Sequence, residues 1–224
     1  MLDAAGLTAQ RTGAVGAVGL KHTTPPDIHS IGIIGVGVQG VWQTIFACAV
    51  RRLHTVFFIA RSDKKAQHFI AAVSARVAPM RFHRCASIDD LLRRTAVIIT
   101  ATTSSTPVLP NDTASLQNKH FVSVGSFKPS MQELPNAAYS LAQNVVVDSD
   151  AAKTEVGDLI GPLSLGLIHD SHIVHLAHVV SGKRSLDLTR TTVVKSVGMA
   201  IYDLYAAQAF IAEAQRLGRG TPLE

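Results

Sequence analysis

Apolar positions in this chain fall into short uninterrupted runs, the first of them followed by stretches whose apolar positions return every three or four residues. The runs are Ile31–Ile34, Thr55–Ile59, Ala96–Ala101, Phe121–Val124 and Val145–Val147, with a shorter one near Met80–His83. β-Branched runs without polar alternation predict strands buried on both faces, as in a parallel sheet. The intervening stretches predict helices over Val38–Arg52 and over Asp63–Val77, where Phe69, Ile70 and Val73 share one side. A further helix is predicted over Ser87–Arg94, where Ser87 and Asp90 stand at capping-box spacing. Strands alternating with helices in this way predict an α/β fold built on a doubly wound, mostly parallel sheet. The final stretch, Thr192–Leu217, reads as one or two helices with apolar positions at Val194, Val197, Ile201, Leu204 and Ala207. Most of that stripe is expected to be core, and Gly218 and Gly220 stop it.

The first run carries the sharpest signal. No charged residue occurs from Ile31 through Val50, a length that suits a membrane span, but Gln39, Gln43 and the glycines interrupt it. It reads better as strand, turn and helix. Gly35-Val36-Gly37-Val38-Gln39-Gly40 fits G-x-G-x-x-G, the signature of a Rossmann-type dinucleotide site. The first glycine permits the tight turn, the second lets backbone approach a pyrophosphate, and the third lets helix and strand pack closely. Phosphate then sits on a helix N-terminus, where free N–H groups and the positive dipole end attract an anion.

The second strand ends in Ala60-Arg61-Ser62, at the distance where such motifs meet the adenosine ribose. An NAD site usually has an acid there. Arg61 and Ser62, with Lys64 and Lys65 just beyond, offer a 2′-phosphate cationic and hydroxyl partners, so NADP(H) is preferred over NAD(H). Ligands in such sheets lie beyond the carboxyl ends of the strands. That rule brings the hydroxyl-rich turn after Ala101, including Thr102 and Thr103, to the same edge as the loops after Val124 and Val147.

Composition narrows the classes. With 224 residues, 47% hydrophobic and 17% charged, the chain is long enough to bury a core and too apolar to be disordered. The net charge of +5 comes from basic residues scattered in twos with few aromatics between them, which argues against nucleic acid and suits a small anionic ligand. Cys48 and Cys85 form no spaced motif, and both are expected to pack as small hydrophobes in a reducing cytoplasm. His169, His172, His175 and His178 recur every third residue, a spacing that converges on one ion neither on a helix nor on a strand. No metal is expected, and no membrane association.

Several segments together resemble the ornithine cyclodeaminase/mu-crystallin family of nicotinamide-dependent imine and amino-acid enzymes. They are "RTGAVGAV" (Arg11–Val18), "GIIGVGVQG" (Gly32–Gly40), "TATTSSTPVL" (Thr100–Leu109), "VGSFKPSMQEL" (Val124–Leu134), "VVVDS" (Val145–Ser149), "EVGDL" (Glu155–Leu159) and "KSVGMAIYDL" (Lys195–Leu204). The resemblance implies that Arg11 holds the substrate carboxylate and approaches the cofactor phosphate with Thr12, while Val38 and Gln39 line the pyrophosphate turn. It places Thr102, Thr103, the backbone of Val124, Gly125 and Ser126, and Ser196 with Val197 around the nicotinamide half. A guanidinium suits a carboxylate because the two pair through parallel hydrogen bonds.

Two departures shape the expectation. Where the cyclodeaminases carry an acid/base aspartate two residues before the proline of P-x-x-x-E-L, this chain has Phe127. A phenyl ring moves no protons, whereas reduction of a preformed cyclic imine asks mainly for carboxylate binding and placement of the nicotinamide. The expected activity is NADPH-dependent reduction of Δ1-pyrroline-2-carboxylate or Δ1-piperideine-2-carboxylate. Ornithine cyclodeaminase or alanine dehydrogenase-like activity, and a non-catalytic NADP(H)-binding protein, are the alternatives. Family members also begin with a lobe of sheet and helix that precedes the "RTGA" segment, and this chain starts just upstream of it. Residues 22–208 are therefore expected to form the dinucleotide-binding domain, with 1–21 and 209–224 as remnants of a substrate and dimerisation lobe. A homodimer is expected.

Overall fold

The computed structural model describes residues 2–221. Eight strands form one sheet: β1 (Ser30–Ile34), β2 (Thr55–Ile59), β3 (Arg81–Arg84), β4 (Val97–Thr100), β5 (His120–Ser123), β6 (Val145–Val147), β7 (Ile173–His175) and β8 (Thr192–Lys195). Their order is β3-β2-β1-β4-β5-β8-β6-β7, and every pairing is parallel. The helices are α1 (Ala4–Thr23), α2 (Val38–Val50), α3 (Asp63–Ser74), α4 (Ile88–Arg94), α5 (Thr113–Leu116), α6 (Asn136–Leu141), α7 (Ala152–Glu155), α8 (Gly157–Ser164), α9 (Leu176–Val180) and α10 (Ala200–Arg216). The reversal of strand order between β1 and β4 opens a crevice at their carboxyl ends, where such sheets bind ligands.

The sheet is covered on both faces, which is why its strands carry no polar alternation. One face packs Ile31, Ile33, Val97, Ile99, Val122 and Val194 against α1, α2, α3 and α9, through residues such as Leu20, Ala47, Phe69 and Val179. The other packs Ile34, Ile98, Phe121, Val145, Val147 and Val193 against α4 to α8, through Leu91, Leu116, Tyr139 and Leu159. Side-chain caps fix several helix starts: Asp3 accepts from Ala5 and Gly6, Ser62 from Lys65, and Ser87 from Asp90.

The predicted strands, and the three predicted helices that correspond to α2, α3 and α4, stand within three residues of their expected ends. The region after residue 191 differs. Thr192–Lys195 is not helical but forms β8, between β5 and β6, with Val194 opposite both Val122 and Val146. A Thr-Val-Val run in a gap flanked by two β-strands extends, because branched side chains fit a doubly covered sheet better than a helix. Gly198, with φ +82°, then turns the chain, and α10 begins at Ala200. Val194 is core, as expected, but none of α10 is buried: Ile201 is 45% exposed and Leu204 52%. The expected core stripe there is overturned, since α10 touches little of the fold beyond α1.

α1 was not foreseen as a 20-residue helix. It lies along α2 and against β5 and β8, burying Ala9, Thr12, Gly13, Gly16, Ala17, Gly19 and Leu20. Parts of the two expected flanking segments, Met1 and residues 222–224, lie outside the described residues. Among the described residues no helix is long and apolar enough to cross a membrane.

Candidate active site

A crevice of about 390 Å³ opens at the carboxyl edge of β1, β4, β5 and β8. Thr8, Arg11 and Thr12 of α1 form one wall and Gln39 of α2 another. The remaining lining comes from Ala101, Thr102 and Thr103 after β4, Val124, Gly125 and Phe127 after β5, and Ser196, Val197 and Gly198 after β8. Seven segment-distant positions predicted from the sequence, namely Arg11, Thr12, Gln39, Thr102, Thr103, Val124 and Gly125, thus converge with Ser196 and Val197. A larger cleft of about 670 Å³ lies where Arg51 to His54 meet Arg76 to Met80, at the opposite edge of the sheet. None of the predicted site residues lines it.

Arg11 is held rather than free. Its Nε donates to Asp203 Oδ1 at 3.0 Å, and its side chain is 15% exposed. Among the described residues neither terminal nitrogen has a protein acceptor, and Arg11 is part of the crevice lining. The guanidinium packs onto Gly198 so closely that any side chain there would collide with it. Phe127, 54% exposed, forms part of the rim with the Lys128 ammonium 5.5 Å from its ring centre. The hydroxyl of Tyr202, on α10 near Arg11, is pushed up to about 12, first by burial and then by Asp148.

The glycine turn leads from β1 into α2 beside this crevice. Gly35 has φ +102°, and a side chain there would strike the Ala101 carbonyl. Gly40 is packed onto the Gly35 carbonyl, which forbids even a methyl group. Gly37 is different: nothing lies near the place its side chain would take, and Val38 beside it is 66% exposed. No side chain caps α2, in contrast to α1, α3 and α4. Among the described residues the turn therefore presents unpartnered amides to an open space, and the buried Gln39 Oε1 also has no partner. Those features fit an anionic pyrophosphate.

Arg61 and Ser62 lie at the carboxyl end of β2, next to β1, and do not line the crevice. Both are exposed. The nearby acid, Asp63, is paired with Arg84, whose other nitrogen donates to the Ala60 carbonyl at 2.9 Å. Ser126, whose backbone the resemblance sets beside the nicotinamide, is fully buried; its hydroxyl donates to Met131 O at 2.9 Å, and it is not part of the crevice lining.

Sequence reasoning missed what holds the lining in place. Glu133, fully buried, accepts from Thr102 N at 2.6 Å, Thr102 Oγ1 at 2.9 Å and Gly125 N at 2.7 Å, tying the β4 and β5 loops together. Asp158, on α8 and equally buried, accepts from the Glu133 and Leu134 amides at 2.9 Å and lies 3.3 Å from Lys195 Nζ. Asp148 accepts from Ser196 Oγ at 2.7 Å, Val197 N at 3.1 Å and Gly198 N at 2.8 Å. Glu133 and Asp158 belong to the quoted "MQEL" and "EVGDL" segments, and an acid inside an apolar stretch was the available signal.

The histidine series falls into two ring pairs, His169 with His172 and His175 with His178; His172 Nδ1 accepts from His169 N, and His175 faces Asp150 at 3.2 Å. A separate trio, His83, Cys85 and Asp90, brings its ligand atoms within 4.8 Å of one another, although Asp90 is already bonded to Arg94 at 2.8 Å. Cys85 is buried, and burial pushes the half-buried Cys48 thiol up to about 11.

An uncapped glycine turn at the strand-order reversal, facing loops from four parallel strands, defines a dinucleotide-binding α/β crevice. The sequence profile described as "Ornithine cyclodeaminase/mu-crystallin family" matches residues 1–216, and the chain belongs to that family. It is 34% identical over 230 residues to a Δ1-pyrroline-2-carboxylate reductase of Bacillus cereus, spanning all of this chain and 69% of that one. It is 30% identical over 208 residues to the ketimine reductase mu-crystallin of Rattus norvegicus, covering 93% of this chain and 63% of that protein. The solved Δ1-pyrroline-2-carboxylate reductase of Thermococcus litoralis, in complex with NADH and L-proline, superposes with a TM-score of 0.88 at 30% identity, over 97% of this chain and 68% of that one.

Proposed function

We propose that the protein is an oxidoreductase that reduces a cyclic α-imino acid, Δ1-pyrroline-2-carboxylate or Δ1-piperideine-2-carboxylate, to proline or pipecolate, with NADPH preferred to NADH. The observation that carries this reading is Arg11, anchored by Asp203 through Nε, with its two terminal nitrogens unpaired among the described residues and its side chain lining the same crevice as the loops after β4, β5 and β8. A planar carboxylate is the ligand such a fork fits. The similarity to pyrroline-carboxylate and ketimine reductases supports the same substrate class.

Each part of the chain has a task in this reading. Amides at Gly37, Val38 and Gln39 hold the pyrophosphate, with Thr12 alongside. Arg61 and Ser62 hold the 2′-phosphate, with Asp63 neutralised by Arg84. Thr102, Thr103, Val124, Gly125, Ser196 and Val197 bound the nicotinamide half, where the reduced ring supplies the two electrons of the reduction. Arg11 orients the imino acid by its carboxylate. Residues 22–208 carry the nucleotide, and a homodimer is the expected assembly.

Phe127 on the rim argues against ornithine cyclodeamination, since no carboxylate stands where ammonia loss needs one. A second reading has its own support: among the described residues, the crevice lining contains no acid, histidine, lysine or tyrosine that could donate a proton. On that lining, reduction takes an imine that is already protonated, and binding of nucleotide without turnover is the second reading.

Calorimetric titration with NADPH, followed by an assay of NADPH oxidation with each imine, separates these readings. Binding with imine-dependent oxidation is expected. Binding without oxidation leaves the nucleotide-binding protein, and absence of binding refutes both. Gly37→Val should abolish nucleotide binding at unchanged thermal midpoint, since the added side chain meets only open space. Arg61→Glu should weaken NADPH at least about tenfold while leaving NADH alone.

A further inference from the structure

The floor of the crevice carries more negative charge than its geometry alone requires. Glu133 and Asp158 are fully buried, and Asp148 is only 7% exposed. Glu133 and Asp148 stand directly behind the lining, Glu133 bonding Thr102 and Gly125 and Asp148 bonding Ser196, Val197 and Gly198, while Asp158 stands one layer further back on the Glu133 amide. Against these three carboxylates the floor sets one ammonium, the fully buried Lys195. Its Nζ lies 3.3 Å from Asp158 Oδ2 and 3.2 Å from Ser123 Oγ, which also faces both Glu133 Oε2 at 3.0 Å and Asp158 Oδ2 at 3.1 Å. The Arg11–Asp203 pair at the mouth balances itself.

We infer that Glu133 is a positioning residue which locks the β4 and β5 loops and, with Asp158, leaves the floor under-compensated, so that the crevice favours cationic groups: oxidised nicotinamide and a protonated imine. This inference rests on the nucleotide reading above and names the electrostatic preference of that same site. Burial is what makes the excess charge count, because water is not there to screen it. The neighbouring Tyr139 registers the field: its fully buried phenol is pushed well up, chiefly by burial and then by Asp158 and Glu133. A ligand completing the site would carry its carboxylate toward Arg11 and its positive ring nitrogen toward the floor, the charge pattern of a zwitterion. Conversion of a neutral reduced ring to a cationic one would be favoured by the same field.

The test compares dissociation constants for NADP⁺ and NADPH, measured by calorimetry on the whole chain. In the unaltered protein NADP⁺ should bind at least as tightly as NADPH. A preference for NADPH of more than about tenfold would overturn the inference. Asp158→Asn removes one buried charge while keeping an oxygen for the Glu133 and Leu134 amides, and should shift the ratio toward NADPH by about fivefold or more. Glu133→Gln should shift it the same way, with added loss of thermal stability. Ser123→Ala removes the bridging hydroxyl without changing charge and should leave the ratio where it was. A merely structural role would weaken both nucleotides in proportion, so an unmoved ratio in Asp158→Asn, or an equal shift in Ser123→Ala, refutes the electrostatic role. If neither nucleotide binds the unaltered chain, the functional reading falls and this inference with it.

Discussion

Two long helices of this fold make opposite use of similar apolar content. α1 buries eight of its residues, nearly all small, and lies so close to α2 that a methyl group on Gly13 would come within 2.9 Å of the Trp42 carbonyl oxygen. α10 carries larger apolar side chains, Ile201, Leu204, Tyr205 and Ile211, and buries none of them. Small side chains let backbones approach, and polar groups then secure the contact: Gln43 Nε2 donates to Thr12 O at 2.9 Å, and Arg51 Nη2 clamps Lys21 O at 2.6 Å and Thr24 O at 3.0 Å. Apolar periodicity measures how much surface a helix offers for burial. Whether a partner meets that surface depends on shape, and α1 shows that residues of low apolar bulk can make the tighter seat.

The largest expected disruption of this contrast is Gly13→Val, which forces side-chain atoms into α2 backbone and should cost about 3 kcal/mol in chemical denaturation. Leu204→Ser on α10 is the counterpart that should do little.

Acid should loosen the α1 side next. His120 Nδ1 lies 3.0 Å from Thr192 Oγ1, which donates to the Thr23 carbonyl at the end of α1, and burial brings the imidazole down to about 4 from 6.5. The unfolded chain thus takes up a proton that the folded one refuses. This contribution is intact above pH 6.5 and is lost as pH falls toward 4, by about 3 kcal/mol. Unfolding free energies across that interval should show the slope, and His120→Gln should flatten it.

Arg51→Met removes the clamp on the last carbonyls of α1 and should cost about 1–2 kcal/mol, read as a lowered denaturation midpoint. At the small end, Ile201→Ser and Leu204→Ser should each change the stability of the chain by less than about 0.5 kcal/mol. A loss of 2 kcal/mol from either would mean that α10 has a covered face and would erase the contrast.

The glycine turn and the strand alternation were legible because they obey local rules. Gly35 needs positive φ, Gly40 needs the absence of a side chain, and doubly covered strands need unbroken apolar runs. The convergence of Arg11, Gln39, Thr102 and Ser196 was legible only through the resemblance of whole segments, since nothing in the spacing of Arg11 links it to residue 196. β8 was misread because four residues between two stretches without regular structure give no period, and its extension is imposed by the neighbours Val122 and Val146. The buried acids escaped notice for a related reason. Glu133, Asp158 and Lys195 come from three separate segments, and their meaning lies in the sum of their charges, which exists only after folding.

The position of β8 has a consequence for the order in which the molecule can be made. Its two neighbours, β5 and β6, are both synthesised before it, yet neither pairs with the other: β5 is bonded to β4 and β6 to β7, and only β8 joins the two pieces. Until about residue 195 has left the ribosome, the nascent sheet is two separate pieces with a slot between them, and the ammonium that partly offsets the buried acids is missing. The binding cleft is thus finished in a single late step, and a chain stopped a few residues short of that strand should emerge with most of its helices and no working cleft.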